Sequence, residues 1–297
     1  MRIIRTIRER NKKIQERGRS SQLTTADDPL VDNPPEKHHL ISEGKNHKLN
    51  LTNWLVKYPG DIALKVIGVL EILSFSHPTL HQDFNIKLKD HLLSRLRDEP
   101  YDPTDSQFTR DDRSTLEIIG ARIYQHQTFR VNYTTYDIRR AQDCLNPRTK
   151  ADIMVLSPTG DNHPYRYVRI IGIFHVEVQY LGPGSSNRGI QALEFLLVRW
   201  FEVDQYAPFG VDSFKLPRVT FVRPESAFET FGFVDPSQVL RAIHLVPTFT
   251  LGQVADGLGN CSFARQQDPN SDQDWKAFYV NMWETLATFT IQILTRG

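Results

Sequence analysis

Alternating apolar and polar positions dominate the middle of this chain. Tyr167–Tyr180 reads YVRIIGIFHVEVQY and Glu194–Val203 reads EFLLVRWFEV, and both patterns are typical of neighbouring β-strands. In the first strand, the even-numbered apolar residues are predicted to share one buried face. Its solvent face is predicted to carry Arg169, His175, Glu177 and Gln179. The second strand is apolar on both faces, which favours a central position in an antiparallel sheet.

Further short strands are predicted on either side of this pair. Phe129–Tyr136, Ala151–Leu156 and Pro217–Val222 have the composition of strands, and turn residues separate them. Asp235 followed by Pro236 predicts a capped short helix that ends before Pro247. We therefore expect an α+β protein, in which N-terminal helices precede a small antiparallel β-barrel-like, SH3-like module over residues 118–250.

The remaining segments are interpreted from helical spacing and from proline and glycine content. Residues 1–19 predict a basic amphipathic helix that ends at Gly18. Residues 51–98 predict a small helical segment, in which Leu88, Leu92 and Leu96 recur at four-residue spacing. Residues 20–50 are predicted to be a linker, residues 99–117 an acidic linker, and residues 251–297 a poorly ordered tail.

Charge separates the first segment from the rest of the chain. The 297 residues carry a net charge of +1, whereas residues 1–19 contain eight Arg or Lys and two Glu. A basic arm on a mildly acidic body suggests a polyanionic partner, although a solvated helix without a ligand fits the same pattern. The candidate nucleic-acid contacts are Arg2, Arg5, Arg8, Arg10, Lys12, Lys13 and Arg17.

Cysteine content and hydropathy indicate the compartment. The chain has two cysteines, Cys144 and Cys261, which are too few for a disulfide framework or a cysteine-based zinc site. The first residues lack the apolar stretch of an export signal, and no apolar run is long enough to span a bilayer. We therefore expect a protein of the nucleus or cytoplasm that is not secreted and has no membrane partner.

Motifs for chemistry are sparse. The sequence contains no phosphate-binding loop, dinucleotide-binding turn or nucleophile elbow. His77 and His81 have helical ligand spacing, but Pro78 interrupts the helix, so neither a metal nor a cofactor is predicted. Asp152 and Glu177 on neighbouring strands are the alternative: they could form part of a metal-dependent nuclease site, although no third acid is evident.

Aromatic side chains are the other candidate for binding. Tyr165, Tyr167, Trp200 and Tyr206 could line a groove that holds a peptide or a methylated lysine through cation–π attraction. Ordinary core packing explains the same residues, and we favour that interpretation.

Several long motifs resemble one family. The strings YDIRRAQDCLNPRTKADIMVLSP, HPYRYVRIIGIFHVEV, LEFLLVRWF, FGFVDPSQVLRAIHLVPTF and FYVNM closely resemble the C-terminal region of fungal Plavaka-type transposases. EKHHLISEGKNHKLNLTNWLVKYPGDIALK, KLKDHLLSRL and RTIRERNKK resemble the segments before it. The resemblance implies a transposon-derived fragment without the nuclease core, because the family's catalytic acids lie upstream of this region. The YVRIIGIF and LLVRWF strands are also similar to BAH and other chromatin-reading barrels.

The chain departs from the family pattern at two places. Residues 66–82 separate Lys65 from Asp83, which follow one another closely in the family. We interpret residues 66–82 as an unspliced intron read as protein, and transcripts that join Lys65 to Asp83 would support this. Residues 283–297 also leave the family pattern, which suggests a change of frame or splicing.

The sequence therefore predicts a non-catalytic, transposase-derived binding module that contacts DNA, chromatin or a protein partner. A cryptic nuclease and a decayed product without activity are the alternatives.

Overall fold

The computed structural model describes residues 37–41, 47–50, 80–101, 108–134, 140–158, 163–183, 185, 187–207, 215–222, 230–254 and 274–281. All of them fall within the second of two compact units, Met1–Pro35 and Glu36–Gly297. The predicted basic helix of residues 1–19 and most of the hypothesised insert 66–82 lie outside the described residues.

The described residues form a mostly β structure in which every strand pairing is antiparallel. Two α-helices accompany the strands, α1 (Leu80–Arg97) and α2 (Arg110–Ser114). The strands are β1 (His39–Ile41), β2 (His47–Asn50), β3 (Leu116–His126), β4 (Phe129–Thr134), β5 (Arg140–Leu145), β6 (Asp152–Leu156), β7 (Tyr165–Tyr180), β8 (Ile190–Val203), β9 (Arg218–Phe221), β10 (Phe231–Val234), β11 (Val239–Ala242), β12 (His244–Pro247), β13 (Gln253–Val254), β14 (Asp274–Trp275) and β15 (Phe278–Asn281).

One main sheet contains most of these strands. Its order is β11-β6-β7-β8-β9-β15-β12, with β10 added to β8, β3 added to β7 and β2 added to β3. The two ends of this path, β11 and β12, are separated in sequence by Ile243 alone, so the sheet is curled. Among the described strands, no pairing closes it into a barrel. The predicted antiparallel β module is confirmed, whereas a closed barrel is not. The prediction that N-terminal helices precede the strands is wrong, because β1 and β2 come before α1 in the described chain.

A β-bulge in β7 changes which side chains face each side of the sheet. The pairing of β7 with β8 shifts register between Ile170 and Gly172. Before the bulge Ile170 belongs to one buried cluster, and after it Phe174 belongs to another on the opposite face. A Cβ atom at Gly172 would lie 2.4 Å from the Phe174 ring, so a glycine accommodates this close approach. The prediction of one continuous buried face along this strand is therefore wrong.

Three buried clusters fill the spaces around the sheet. The first cluster contains Leu88 and Leu92 of α1 together with buried residues from the C-terminal part of β7, and α1 covers it. The second contains Phe129 and Leu145, so the separate sheet β1-β4-β5 covers the opposite face. The third includes Phe278 and lies inside the curl formed by β6, β7, β8, β9, β12 and β15.

Helix α1 confirms the helix predicted from leucine spacing. Leu88 and Leu92 are fully buried, as expected for residues on one helical face. Ion pairs attach the edges of the helix to its surroundings: Arg95 to Asp235 at 2.6 Å and Arg97 to Asp112 at 2.6 Å. A third pair joins the helix to α2 through Asp90 and Arg113. The helix is therefore held by an apolar face and by charges at its rim.

Several predicted boundaries need correction. The stretch 20–50 contains β1 and β2, the stretch 99–117 contains α2 and the start of β3, and the stretch 251–297 contains β13, β14 and β15. Phe278 and Val280 are buried, so four residues with alternating burial were enough to complete a sheet. Asp235 caps a single 3₁₀ turn, Pro236–Gln238, and not a helix, because Val239–Ala242 pairs with β6.

Candidate binding site

The aromatic residues that were predicted to share a groove lie in different places. Tyr165 and Tyr167 belong to the third cluster, and Tyr167 is fully buried. Trp200 pairs with Val168 across β7 and β8 and packs on the second cluster, on the other side of the sheet. Tyr206 is 97% exposed. The structure therefore does not bring these four rings into one groove, because adjacent strand positions point to opposite faces.

The predicted DNA-contacting residues Arg2, Arg5, Arg8, Arg10, Lys12, Lys13 and Arg17 lie outside the described residues. Their role stays a prediction.

The two carboxylates of the nuclease alternative do not meet. Asp152 lies opposite Arg169 in the β6–β7 register, and Glu177 lies eight residues beyond Arg169 on the far side of the bulge. At about 3.3 Å per residue the separation is on the order of 20 Å, and the bulge places the two side chains on opposite faces. Within the described residues, no three His, Cys, Asp or Glu side chains are grouped to hold a metal ion.

Asp152 instead takes part in a buried ion cluster. The Arg169 guanidinium donates to both Asp152 oxygens, at 2.7 Å and 3.2 Å, and to Asp274 at 3.2 Å. Its central carbon lies 5.1 Å from the centre of the Phe221 ring and 5.4 Å from that of Phe278. Burial opposes the charge on Arg169, but the charges and hydrogen bonds of the two aspartates together raise its pKa. The prediction that Arg169 faces solvent is wrong.

This arrangement is an aromatic box whose cation comes from the same chain. The central carbon of the Arg169 guanidinium also lies 5.6 Å from the centre of the Phe201 ring, so three aromatic rings surround the cation. The ring faces that could attract an external ammonium group are thus already in contact with a guanidinium. The ion cluster contributes to holding β6, β7 and β14 together.

Beyond the bulge in β7, a row of polar side chains lies on the face of the main sheet that is opposite to the side chain of Arg169. His175 of β7 is paired in register with Tyr124 of β3 and with Glu194 of β8. The Tyr124 and His175 rings are stacked, with 4.5 Å between centres and an interplanar angle of 4°. His126 approaches from β3, and its Nε2 lies 2.6 Å from Nδ1 of His175. We call these four residues, together with Glu177 and His39, the histidine face.

The histidine face also reaches the small sheet. His39 of β1 lies 3.0 Å from a Glu194 carboxylate oxygen through Nε2. Arg95 of α1 donates to the backbone oxygen of Glu194. Glu194 is therefore the point where β1, α1 and β8 meet.

The protonation of His175 depends on its surroundings. Burial lowers the pKa of His175, the neighbouring His126 lowers it further, and the negative charges of Glu177 and Glu194 oppose the shift. A neutral pair in which one ring nitrogen carries the hydrogen explains the short contact between His126 and His175.

Local sequence patterns offer little indication of the histidine face. His39 falls within the linker predicted for residues 20–50, and His175 and Glu177 fall on the predicted solvent face of the first strand. The partners come from three other strands, and pairing between distant strands cannot be deduced from local alternation. The charged residue in the first half of β8, Glu194, is the available signal.

Comparisons with known proteins identify no relative. No protein-family model, no curated protein and no solved structure matches this chain. In the described part of the chain, no helix has both the length and the apolar character needed to cross a membrane.

Proposed function

We propose that this protein is a non-catalytic binding module, derived from a transposase, that contacts DNA through its basic segment of residues 2–17. The observation that carries the proposal is the distribution of charge, since residues 1–19 hold eight Arg or Lys against two Glu in a chain of net charge +1. Lysine and arginine side chains that neutralise phosphates supply most of the affinity in sequence-independent DNA binding. The nucleus is then the expected place of action, and chromatin is the natural form of the target.

Within this proposal the β body has a structural role, and the ion pairs of the described residues support that view. Asp143 contacts Lys150 at 2.8 Å, and Asp204 contacts Arg218 at 2.6 Å. Asp152 and Asp274 share Arg169, as described above. These acids neutralise cations that belong to the fold, so they stabilise the β body itself.

The curl of the main sheet supports an SH3-like or BAH-like assignment within this proposal. Val239–Ala242 and His244–Pro247 are consecutive, yet they pair with β6 and β15 at opposite ends of the strand path. A bent strand that pairs on both sides of its bend is one way in which small barrels close.

A salt titration of DNA binding tests the proposal. The full chain is titrated into a labelled duplex over a series of salt concentrations, and the logarithm of the binding constant is plotted against the logarithm of salt. Replacement of Arg5, Arg8 and Arg10 by Gln should reduce the slope by roughly 2.7, since each lost phosphate contact contributes about 0.9.

The matched control removes the same charge from the β body. Arg110, Arg148 and Arg188 are exposed, and their replacement by Gln should leave the slope unchanged. An unchanged slope in the first variant would remove the basic segment from the mechanism. An equal fall in both variants would also contradict the proposal, because it would indicate that phosphate contacts are spread over the segment and the β body alike.

A further inference from the structure

Helix α1 carries a buried imidazole. His91 is 3% exposed, and among the residues that the structure describes neither of its ring nitrogens has a hydrogen-bond partner. Its ring lies between Phe233 of β10, at 5.8 Å, and Tyr101, at 5.1 Å between ring centres. A buried polar group without a partner costs stability even when it is neutral, and it costs far more when it is charged.

The charged groups around His91 do not favour its protonation. On α1 itself, Arg95 lies one turn further along the helix, and Asp90 forms an ion pair with Arg113 of α2. Beyond β10, Asp235 forms an ion pair with Arg95 at 2.6 Å. From β10, the group that contacts the ring is the apolar Phe233. Each nearby acid is thus already paired with an arginine.

Burial is the largest influence on His91, followed by the positive charge of Arg95, and Asp235 offsets them in part. Together they lower the pKa of His91 to about 3. An exposed histidine in an opened or unfolded state titrates near pH 6.5. Protonation is therefore much easier once the ring has left the first cluster.

The way in which α1 is attached indicates that this helix can separate from the main sheet. The helix lies on the sheet through its apolar face, whereas the strands of the main sheet are joined by backbone hydrogen bonds. The pair of Arg97 with Asp112 is partly exposed and contributes little in water. The more buried pair of Asp90 with Arg113 joins α1 to α2 and not to the sheet, so Arg95 with Asp235 is the ion pair that ties the helix to the segment after β10. An element held mainly by side-chain packing opens at lower free energy than the central strands of a sheet.

We propose that α1 is an acid-released cover, in which a proton taken from solvent by the His91 imidazole favours a state with the helix lifted from the first cluster. Release exposes Leu88, Leu92 and Phe233 while the central strands stay paired. With pKa values of about 3 covered and about 6.5 released, the equilibrium constant for the covered state falls about 25-fold between pH 7 and pH 5. The covered state is the less protonated one, so its advantage is greatest above pH 6.5 and is lost as the pH falls.

Hydrogen exchange of the full chain measures this release. Amide exchange, corrected for the intrinsic effect of pH, is followed in α1 and in β7 at pH 7 and pH 5. Protection in α1 should fall about 25-fold at pH 5, and at both pH values it should stay well below protection in β7, because release of the helix requires less free energy than unfolding of the sheet. His91→Leu should retain protection in α1 and lose its dependence on pH, because leucine cannot take up a proton.

A matched control is His244→Leu, which removes an exposed histidine from β12. It should leave the pH dependence of α1 unchanged. Wild-type protection in α1 that is equal at both pH values would overturn the proposal, whatever the variants do. Protection in α1 that is as high as protection in β7 at both pH values would also overturn it, since that result indicates that α1 opens only by global unfolding.

Discussion

The ion cluster around Arg169 provides the sharpest test of how the curled sheet is held together. The side chain of Arg169 is 15% exposed and that of Asp274 is 8% exposed, so the charges are largely removed from water. Arg169→Met keeps most of the side-chain volume and removes the charge. Asp152 and Asp274 then remain buried without their counter-ion. Removing one partner of a buried ion pair typically costs about 3–5 kcal/mol, and we expect a loss of about 4 kcal/mol in the free energy of unfolding.

Urea denaturation at pH 7, followed by circular dichroism, measures this loss. The control is Arg218→Met, because the pair of Arg218 with Asp204 has side chains that are 27% and 19% exposed. This control should cost about 1 kcal/mol or less. A loss under about 1 kcal/mol for Arg169→Met would refute the reasoning, since it would mean that the two aspartates do not depend on the guanidinium.

Two further measurements separate charge from packing. The combined variant Arg169→Met, Asp152→Asn, Asp274→Asn leaves no ionised group in the cluster, and it should recover at least half of the lost stability. In the single variant, two negative charges lie close together without the guanidinium between them. The penalty should therefore be present at pH 7 and should decrease in acid, because loss of either charge removes the repulsion. A packing defect alone would not depend on pH in this way.

Three other substitutions test separate contacts by denaturation. Asp143→Ala removes the carboxylate that accepts from the backbone nitrogen of Ala242 at 3.0 Å, and it should cost about 2–3 kcal/mol because a buried donor loses its partner. Gly172→Ala places a Cβ atom 2.4 Å from the Phe174 ring, and the overpacking should cost about 1–3 kcal/mol. Ala121→Gly should raise stability by up to about 1 kcal/mol, since Ala121 has a φ of 47°, a left-handed conformation that glycine adopts without strain.

Local patterns were sufficient for the central strands and for α1. The predicted strands Tyr167–Tyr180 and Glu194–Val203 correspond to Tyr165–Tyr180 and Ile190–Val203. The leucine spacing located α1, because a repeat every three or four residues stays on one helical face. These elements are long and strongly periodic, and periodicity reports on such elements best.

Which side chains of β7 face each side of the sheet could not be predicted, because one extra residue at the bulge reverses the alternation. The run Ile170, Ile171, Gly172, Ile173 interrupts the alternation, and the register shift follows at this point. A bulge adds one residue to a strand, so every side chain beyond it moves to the other face. Uninterrupted alternation places Arg169 on the same face as His175 and Glu177, so it does not reveal the aspartate partners of Arg169. The interrupted alternation at Gly172 was the signal that could have found the bulge.

The connection from β10 to β11 links the cover helix to the rest of the fold. Phe233 belongs to the first cluster and its neighbour Val234 to the second, on opposite faces of the sheet. Asp235 follows directly, accepting from the Ser237 nitrogen at 2.8 Å and binding Arg95 of α1. Release of α1 would therefore free one side of Asp235 while its capping bond holds the turn in place. We infer that uncovering of the first cluster is local, because the segment that touches α1 stays anchored in the second cluster.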